Sequence, residues 1–215
     1  MKLKFLDLYA GPGGAARGIQ TLCEKKGIAY DYTAVEIDPE IAVAHKKNNP
    51  NSKVIVADAI TFIHKIKNYD FIIACPPCTS HSKLNNMQKN KPEIDTSLWF
   101  LIYHFKYNNI NFLIENVNPY YEPFIEPTIK ISRHCFWSSF TIKEFVYQKY
   151  YKNFRYLSIE DLEEYHGLVA PNMSREKQRK VLRSALQPSI VSGILEQFFT
   201  QNTCDTTTLL TEEVV

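Results

Sequence analysis

The chain has 215 residues, 45% of them hydrophobic and 22% charged, and its 25 Lys and Arg against 23 Asp and Glu leave a net charge of +2. This length suits one substantial domain with a small lobe, and the composition excludes disorder, while so small a net charge neither requires nor excludes a nucleic-acid partner. No apolar run approaches the ~20 residues that span a bilayer, and the odd, irregularly spaced cysteines (Cys23, Cys75, Cys78, Cys135, Cys204) predict reduced thiols rather than a disulfide framework.

Leu3 to Tyr9 reads as a buried strand that breaks at Gly11-Pro12-Gly13-Gly14, with a helix expected from Ala15 to Lys26. The alternation then recurs. Strands are predicted at Tyr30–Glu36, Lys53–Ala57, Tyr69–Cys75 and Ile110–Glu115, with helices at Pro39–Lys47, Ile60–Lys67 and Thr96–Tyr107 between them. Strands alternating with helices imply right-handed crossovers and a mostly parallel α/β sheet flanked by helices. Beyond Pro119 the pattern loosens into an aromatic-rich stretch, Trp137 to Tyr156, with eight aromatics in twenty residues. Helices are expected at Asp161–His166, Arg175–Leu186 and Pro188–Phe199, the last with Ile190, Val191, Ile194, Leu195 and Phe198 at helical spacing. The stretch 201–215 has no clear period and is expected to be a flexible tail.

Glycine is scarce, yet four of the seven, Gly11, Gly13, Gly14 and Gly18, fall within eight residues. Such a turn, after a first strand and before a helix, lets backbone approach a ligand and offers free N–H groups. The plainer reading is a turn that only packs the first helix on the sheet. Glu36, ending the second strand, is placed to accept from two ribose hydroxyls, and Asp58, past the third, from an adenine amine. Because the spacing is G-P-G-G rather than G-x-G-x-x-G, a nucleoside-containing cofactor such as S-adenosylmethionine is expected before a dinucleotide.

The fourth strand ends in Cys75-Pro76-Pro77-Cys78, followed by Thr79-Ser80-His81-Ser82. Two prolines preset the backbone there, so the thiol of Cys78 is held in a defined place, as a nucleophile needs. A redox or metal reading of C-x-x-C stands beside this, without a second cysteine pair to support it. The amino-methylating enzymes of adenine and cytosine place an aromatic residue after the two prolines, whereas Cys78 suits attack on the ring carbon of a pyrimidine. His81 reads as a polar loop residue.

With these motifs in order, the sequence resembles the DNA (cytosine-5)-methyltransferases, and looks most like the small enzymes of bacteriophages and prophages. Asp7 to Gly14 resembles the first cofactor motif, Glu36 with Ile37 and Asp58 with Ala59 the second and third, Pro76 to Cys78 the nucleophile motif, and Glu115 to Val117 the motif whose Glu holds the cytosine. Arg133 to Trp137 resembles a segment with two arginines one residue apart, the second falling on Cys135; Leu182 to Glu196 resembles the last motif, with Ser184 near the cofactor carboxylate. The resemblance implies a Rossmann-like fold that binds S-adenosylmethionine through Tyr9, Ala10, Gly11, Gly13, Gly14, Glu36, Ile37, Asp58, Ala59, Pro76 and Ser184. Cys78, Glu115 and Arg133 would be catalytic, with Arg133 or the strand-end environment activating the thiol.

The implied organisation is a catalytic domain of residues 1–137 and 176–200 and a small target-recognition lobe of 138–175, carrying Lys143, Lys149, Lys152 and Arg155. A lid is expected at Thr79–Pro92 with Lys83, Lys89 and Lys91, and a phosphate contact at Arg175–Arg183, which holds five basic residues and one acidic in nine. The expected partner is double-stranded DNA, with no membrane and no metal. The protein is expected to be a cytoplasmic monomer in a bacterial or phage-infected cell, alongside a restriction enzyme where one exists. A catalytically silent DNA-binding or regulatory homologue, and the same chemistry on RNA, are the alternatives.

Overall fold

The computed structural model describes residues 2–83, 90, 92–149 and 154–209. Its elements are β1 (Leu3–Leu8), α1 (Gly14–Lys26), β2 (Tyr30–Glu36), α2 (Pro39–Asn48), β3 (Lys53–Val56), β4 (Phe71–Ala74), α3 (Ser97–Tyr107), β5 (Phe112–Val117), β6 (Ile129–Ile131), β7 (His134–Ser138), α4 (Ile159–His166), α5 (Arg175–Ser184) and α6 (Pro188–Leu209). One seven-stranded sheet runs in the order β3-β2-β1-β4-β5-β7-β6. Strands β1 to β5 pair in parallel, and β7 inserts antiparallel between β5 and β6.

Side-chain alternation divides the strands between two cores, because successive residues of a strand point to opposite faces. Phe5, Phe71, Ile73, Leu113 and Phe136 face α1 and α6. Leu6, Leu8, Ile72, Ala74, Phe112, Ile114, Cys135 and Trp137 face α3 and a 3-10 helix at Ile60–Asn68. A third cluster joins Phe154, Leu162, Tyr165 and Leu168 to Val181 and Leu182 of α5. Close approach is built into Gly14, where an added Cβ would lie 1.9 Å from the carbonyl oxygen of Leu186.

Several expectations are revised. The link from β3 to β4 is a 3-10 helix rather than an α-helix, in a stretch whose β-branched and aromatic residues (Ile60, Thr61, Phe62, Ile63) favour α-helix weakly. Strands β6 and β7 have no counterpart in the sequence reading. The beginning of the expected recognition lobe lies along α6: Ile142 is buried in the main core, Phe140, Phe145 and Tyr147 pack against it, and the Lys143 backbone exchanges two hydrogen bonds with the Gln197 side chain. The expected tail begins as helix, since α6 continues to Leu209 with no Gly or Pro after Gly193 to stop it. Among the described residues no helix is long and apolar enough to cross a membrane.

Candidate active site

The glycine turn leaves the carboxyl end of β1 through Tyr9, whose φ of 61° is the left-handed conformation that non-glycine residues avoid. Ala10 donates its N–H to Val35 O, and Gly13, at φ 101°, caps α1. Three consecutive carbonyls of the turn are each held by a side chain of α2 or its cap. His45 Nδ1 donates to Gly11 O at 3.1 Å, Asn48 Nδ2 to Pro12 O at 2.8 Å, and Asn49 Nδ2 to Gly13 O at 3.3 Å. Asn48 also exchanges two hydrogen bonds with the Val169 backbone, joining the turn to the chain after α4. The turn is therefore clamped from behind, while its Ala10 and Gly11 amides are bonded to the end of β2.

Glu36 closes that edge, accepting from Gly11 N at 2.9 Å through Oε2 and from Asp38 N at 2.9 Å through Oε1. Each carboxylate oxygen keeps a further lone pair for a hydroxyl donor. Ile37 (65% exposed), Val56 (56%) and Ile60 (37%) stand open at the ends of β2 and β3, apolar surface of the kind a purine ring covers. Asp58 is exposed nearby, its Oδ1 accepting from Ile60 N, and Ala59 is buried behind it. These residues fit the nucleoside part of S-adenosylmethionine. Ser184 is not brought to the turn by any contact of its hydroxyl, which donates to Val181 O within α5; Leu186 is the residue packed on Gly14. Below the turn, the buried Asp7 accepts from the Tyr32 hydroxyl at 2.6 Å, and desolvation raises its carboxyl to about 7.

Across the sheet, β4 delivers Cys78. Buried Pro76 is fastened by Asn116 Nδ2, which donates to its carbonyl at 3.0 Å, and the Cys78 carbonyl accepts from the amides of His81 and Ser82. Glu115, at the end of β5, is 8% exposed and pairs with His134 Nδ1 through Oε1 at 2.5 Å. Arg133 Nε donates to His134 Nε2 at 3.1 Å, and its Nη2 donates to Arg183 O at 3.0 Å. Its guanidinium also lies 4.9 Å from the centroid of Phe154.

This geometry revises three points. Cys135, on which the second arginine of the resembling segment falls, faces the opposite core and is fully buried beside Trp137. His134, one residue earlier, is the side chain that reaches Glu115. Nor is the Cys78 thiol activated at rest: burial and the Glu115 charge raise its pKa and outweigh the opposing pull of Arg133 and Lys180. His81 is a buried anchor rather than a polar loop residue, with Nδ1 2.5 Å from the Tyr121 hydroxyl.

On α5, Lys177 is paired to Asp38 and Glu40 of α2, and Arg175 to Glu160, leaving Arg179 and Lys180 as exposed cations. Cys23, Cys75, Cys78 and Cys135 are free thiols, and among the described residues no three His, Cys, Asp or Glu side chains converge as a metal site requires. Of the expected lid and lobe cations, Lys89, Lys91, Lys152 and the Arg155 side chain lie outside the described residues.

Comparison with known proteins places this geometry. The solved Entamoeba histolytica methyltransferase EhMeth shares 10% identity at a TM-score of 0.55, covering 94% of this chain and 99% of that one, a likeness of fold. DNMT2 from Spodoptera frugiperda is 24% identical over 54% of this chain and 36% of its own, with a TM-score of 0.38. The Type II methyltransferase M1.BsuMI of Bacillus subtilis is 26% identical across 106 aligned positions, covering 41% of this chain; the match spans only 25% of that enzyme's length. A family profile described as C-5 cytosine-specific DNA methylase matches residues 3–123, more than half of the chain, from β1 through the turn after β5. The segment that holds the glycine turn, Glu36, Cys78 and Glu115 is thus the matched segment, and the chain belongs to the C-5 cytosine-specific DNA methylases.

Proposed function

We propose that the protein methylates carbon 5 of cytosine in double-stranded DNA, using S-adenosylmethionine, through a transient covalent bond from Cys78 to a flipped base. The observation that carries this reading is the thiol itself: Cys78 stands half-buried at the end of β4, within electrostatic reach of Glu115 at the end of β5 and across the sheet from the glycine turn. Carbon 5 of cytosine is not nucleophilic until something adds to carbon 6, and a positioned thiolate is suited to that addition.

Cys78 Sγ forms the bond to carbon 6 while Glu115 hydrogen-bonds ring N3 and the exocyclic amine, accommodating the charge that develops on the ring. When bound, S-adenosylmethionine supplies the electrophilic methyl group that carbon 5 takes up. Water takes the proton that Cys78 sheds before attack and later the carbon 5 proton, whose loss restores the double bond and expels Cys78 as the thiolate. Glu36, Ile37, Asp58 and Ala59 hold the nucleoside end of the cofactor, and Tyr9, Ala10, Gly11, Gly13, Gly14 and Pro76 shape the backbone around it. Burial, and after it the Glu115 charge, raise the Cys78 pKa, so sharing a proton between Glu115 and ring N3 lessens one of the two effects that oppose the thiolate. The nucleophile is thereby armed in part by its substrate.

The reacting carbon lies inside the duplex stack, so the base is extruded at a cost of a few kcal/mol. Arg179 and Lys180 supply exposed positive charge for the phosphate backbone. The test is incubation with tritiated-methyl S-adenosylmethionine and either DNA or RNA, followed by nucleoside analysis. Label in 5-methylcytosine from DNA is expected. Label from RNA alone moves the chemistry to another partner, and cofactor binding without label on either leaves a catalytically silent homologue.

A further inference from the structure

We infer that His134 is the positioning residue that sets Glu115 for catalysis, and that Arg133 acts through it by fixing the tautomer of its imidazole. The inference rests on the proposed cytosine chemistry for Glu115 and follows from strand register. In the β5–β7 pair Glu115 lies opposite Phe136 and Val117 opposite His134, so residues 115, 117, 134 and 136 share one face of the sheet and Cys135 points to the other. One step along β7 therefore decides which residue meets the carboxylate. Glu115 and His134 are 8% and 6% exposed, so their hydrogen bond is sheltered from water.

The proton inventory is determined by Arg133. A guanidinium nitrogen only donates, so the contact from Arg133 Nε at 3.1 Å requires a lone pair on His134 Nε2. The ring hydrogen then belongs on Nδ1, which donates to Glu115 Oε1. The relay runs from guanidinium to neutral imidazole to Glu115 Oε1, which it commits to the protein, leaving Oε2 to carry the proton that bonds ring N3. Protonating Nε2 would set two donors against each other. Among the described residues, the other charged or titratable groups gathered here are Cys75, whose buried thiol hydrogen-bonds Glu115, Cys78 after β4, Cys135 on the opposite face of β7, His166 of α4, and Lys180 and Arg183 of α5.

Three forms of the full-length protein test the inference: wild type, His134→Ala and His134→Asn. Asparagine can place an amide donor close to the position of Nδ1, whereas alanine cannot. Methyl transfer to DNA is expected to lose about tenfold to hundredfold in kcat in His134→Ala. The KM for DNA and the affinity for S-adenosylmethionine should stay near wild type, and His134→Asn should recover most of kcat. Equal kcat in wild type and His134→Ala, or equal losses in the two variants with cofactor binding intact, would overturn the positioning role. Nitrogen-15 NMR of the His134 ring near neutral pH supplies a second readout that needs no turnover. A neutral ring protonated on Nδ1 is expected, and an Nε2–H ring or an imidazolium overturns the relay. A wild-type protein that methylates no nucleic acid defeats the functional reading, and the ring tautomer still decides the relay.

Discussion

On the β1–β2 side of the sheet edge, the three carbonyls of the glycine turn are held by neutral side chains of one neighbouring helix and its cap, and the carboxylate that closes the site accepts two backbone amides. On the β4–β5–β7 side, a thiol, a carboxylate, an imidazole and a guanidinium crowd together, brought in by two parallel strands and one antiparallel insertion. The first arrangement, the proposed cofactor receptor, is held in place by these hydrogen bonds. The second is charged and partly uncommitted: burial, and after it the Glu115 charge, raise the pKa of the Cys78 thiol. Binding can be built from backbone groups whose state does not change, whereas chemistry needs groups whose protonation does.

The sharpest way to separate the two sides is Cys78→Ala, which is expected to reduce methyl transfer to below about one part in 10⁴ while leaving cofactor affinity, measured by calorimetry, unchanged. Substantial turnover in that variant would remove the thiol from the mechanism. Asp7 offers the next largest effect, because it is a titrating group buried beneath the receptor side. Desolvation raises its carboxyl from 3.8 to about 7, so the folded chain holds a proton that the unfolded chain has released. Its contribution is therefore present at low pH, declines as pH rises between about 4 and 7, and levels off above that. The swing is about 4 kcal/mol. Denaturant melts across this range should show Asp7→Asn gaining on wild type as pH rises; parallel curves would mean that the buried carboxyl does not titrate as described.

Glu36→Ala probes the receptor itself. Loss of an acceptor shared by Gly11, Asp38 and the proposed ribose hydroxyls should weaken S-adenosylmethionine binding by about tenfold to hundredfold, with kcat at saturating cofactor nearly unchanged. A fall in kcat at unchanged affinity would erase the division between the two sides. The smallest effect is expected from Arg179→Ala with Lys180→Ala, which should reduce the salt slope of DNA binding by about 0.9 per lost phosphate contact. An unchanged slope takes α5 off the DNA path.

Much of the receptor side was legible in the sequence. Leu3 to Leu8 alternates toward two cores, the glycines cluster where the first strand meets its helix, and Glu36 and Asp58 follow the second and third strands, all features set by neighbours within a few tens of residues. Cys78 and Glu115 were legible for the same reason, as strand-end residues of a repeating pattern. The partner of Glu115 was not. Arg133 to Trp137 as a linear motif puts the weight on Arg133 and passes over His134, but which face a strand residue takes depends on where the strand pairs and in what register. Residues 139–148 present the same difficulty: three aromatics and a lysine suit a recognition lobe as well as a strap, and only α6 lying alongside buries Ile142 and captures the Lys143 backbone. By itself, then, the sequence determined the α/β alternation and which residues stand at the strand ends, because these are written in local spacing. Only the tertiary structure decided that His134 faces Glu115, that Arg133 is engaged with it and that the Cys78 thiol rests protonated, because register, burial and charge proximity arise between segments that meet only when the chain is folded.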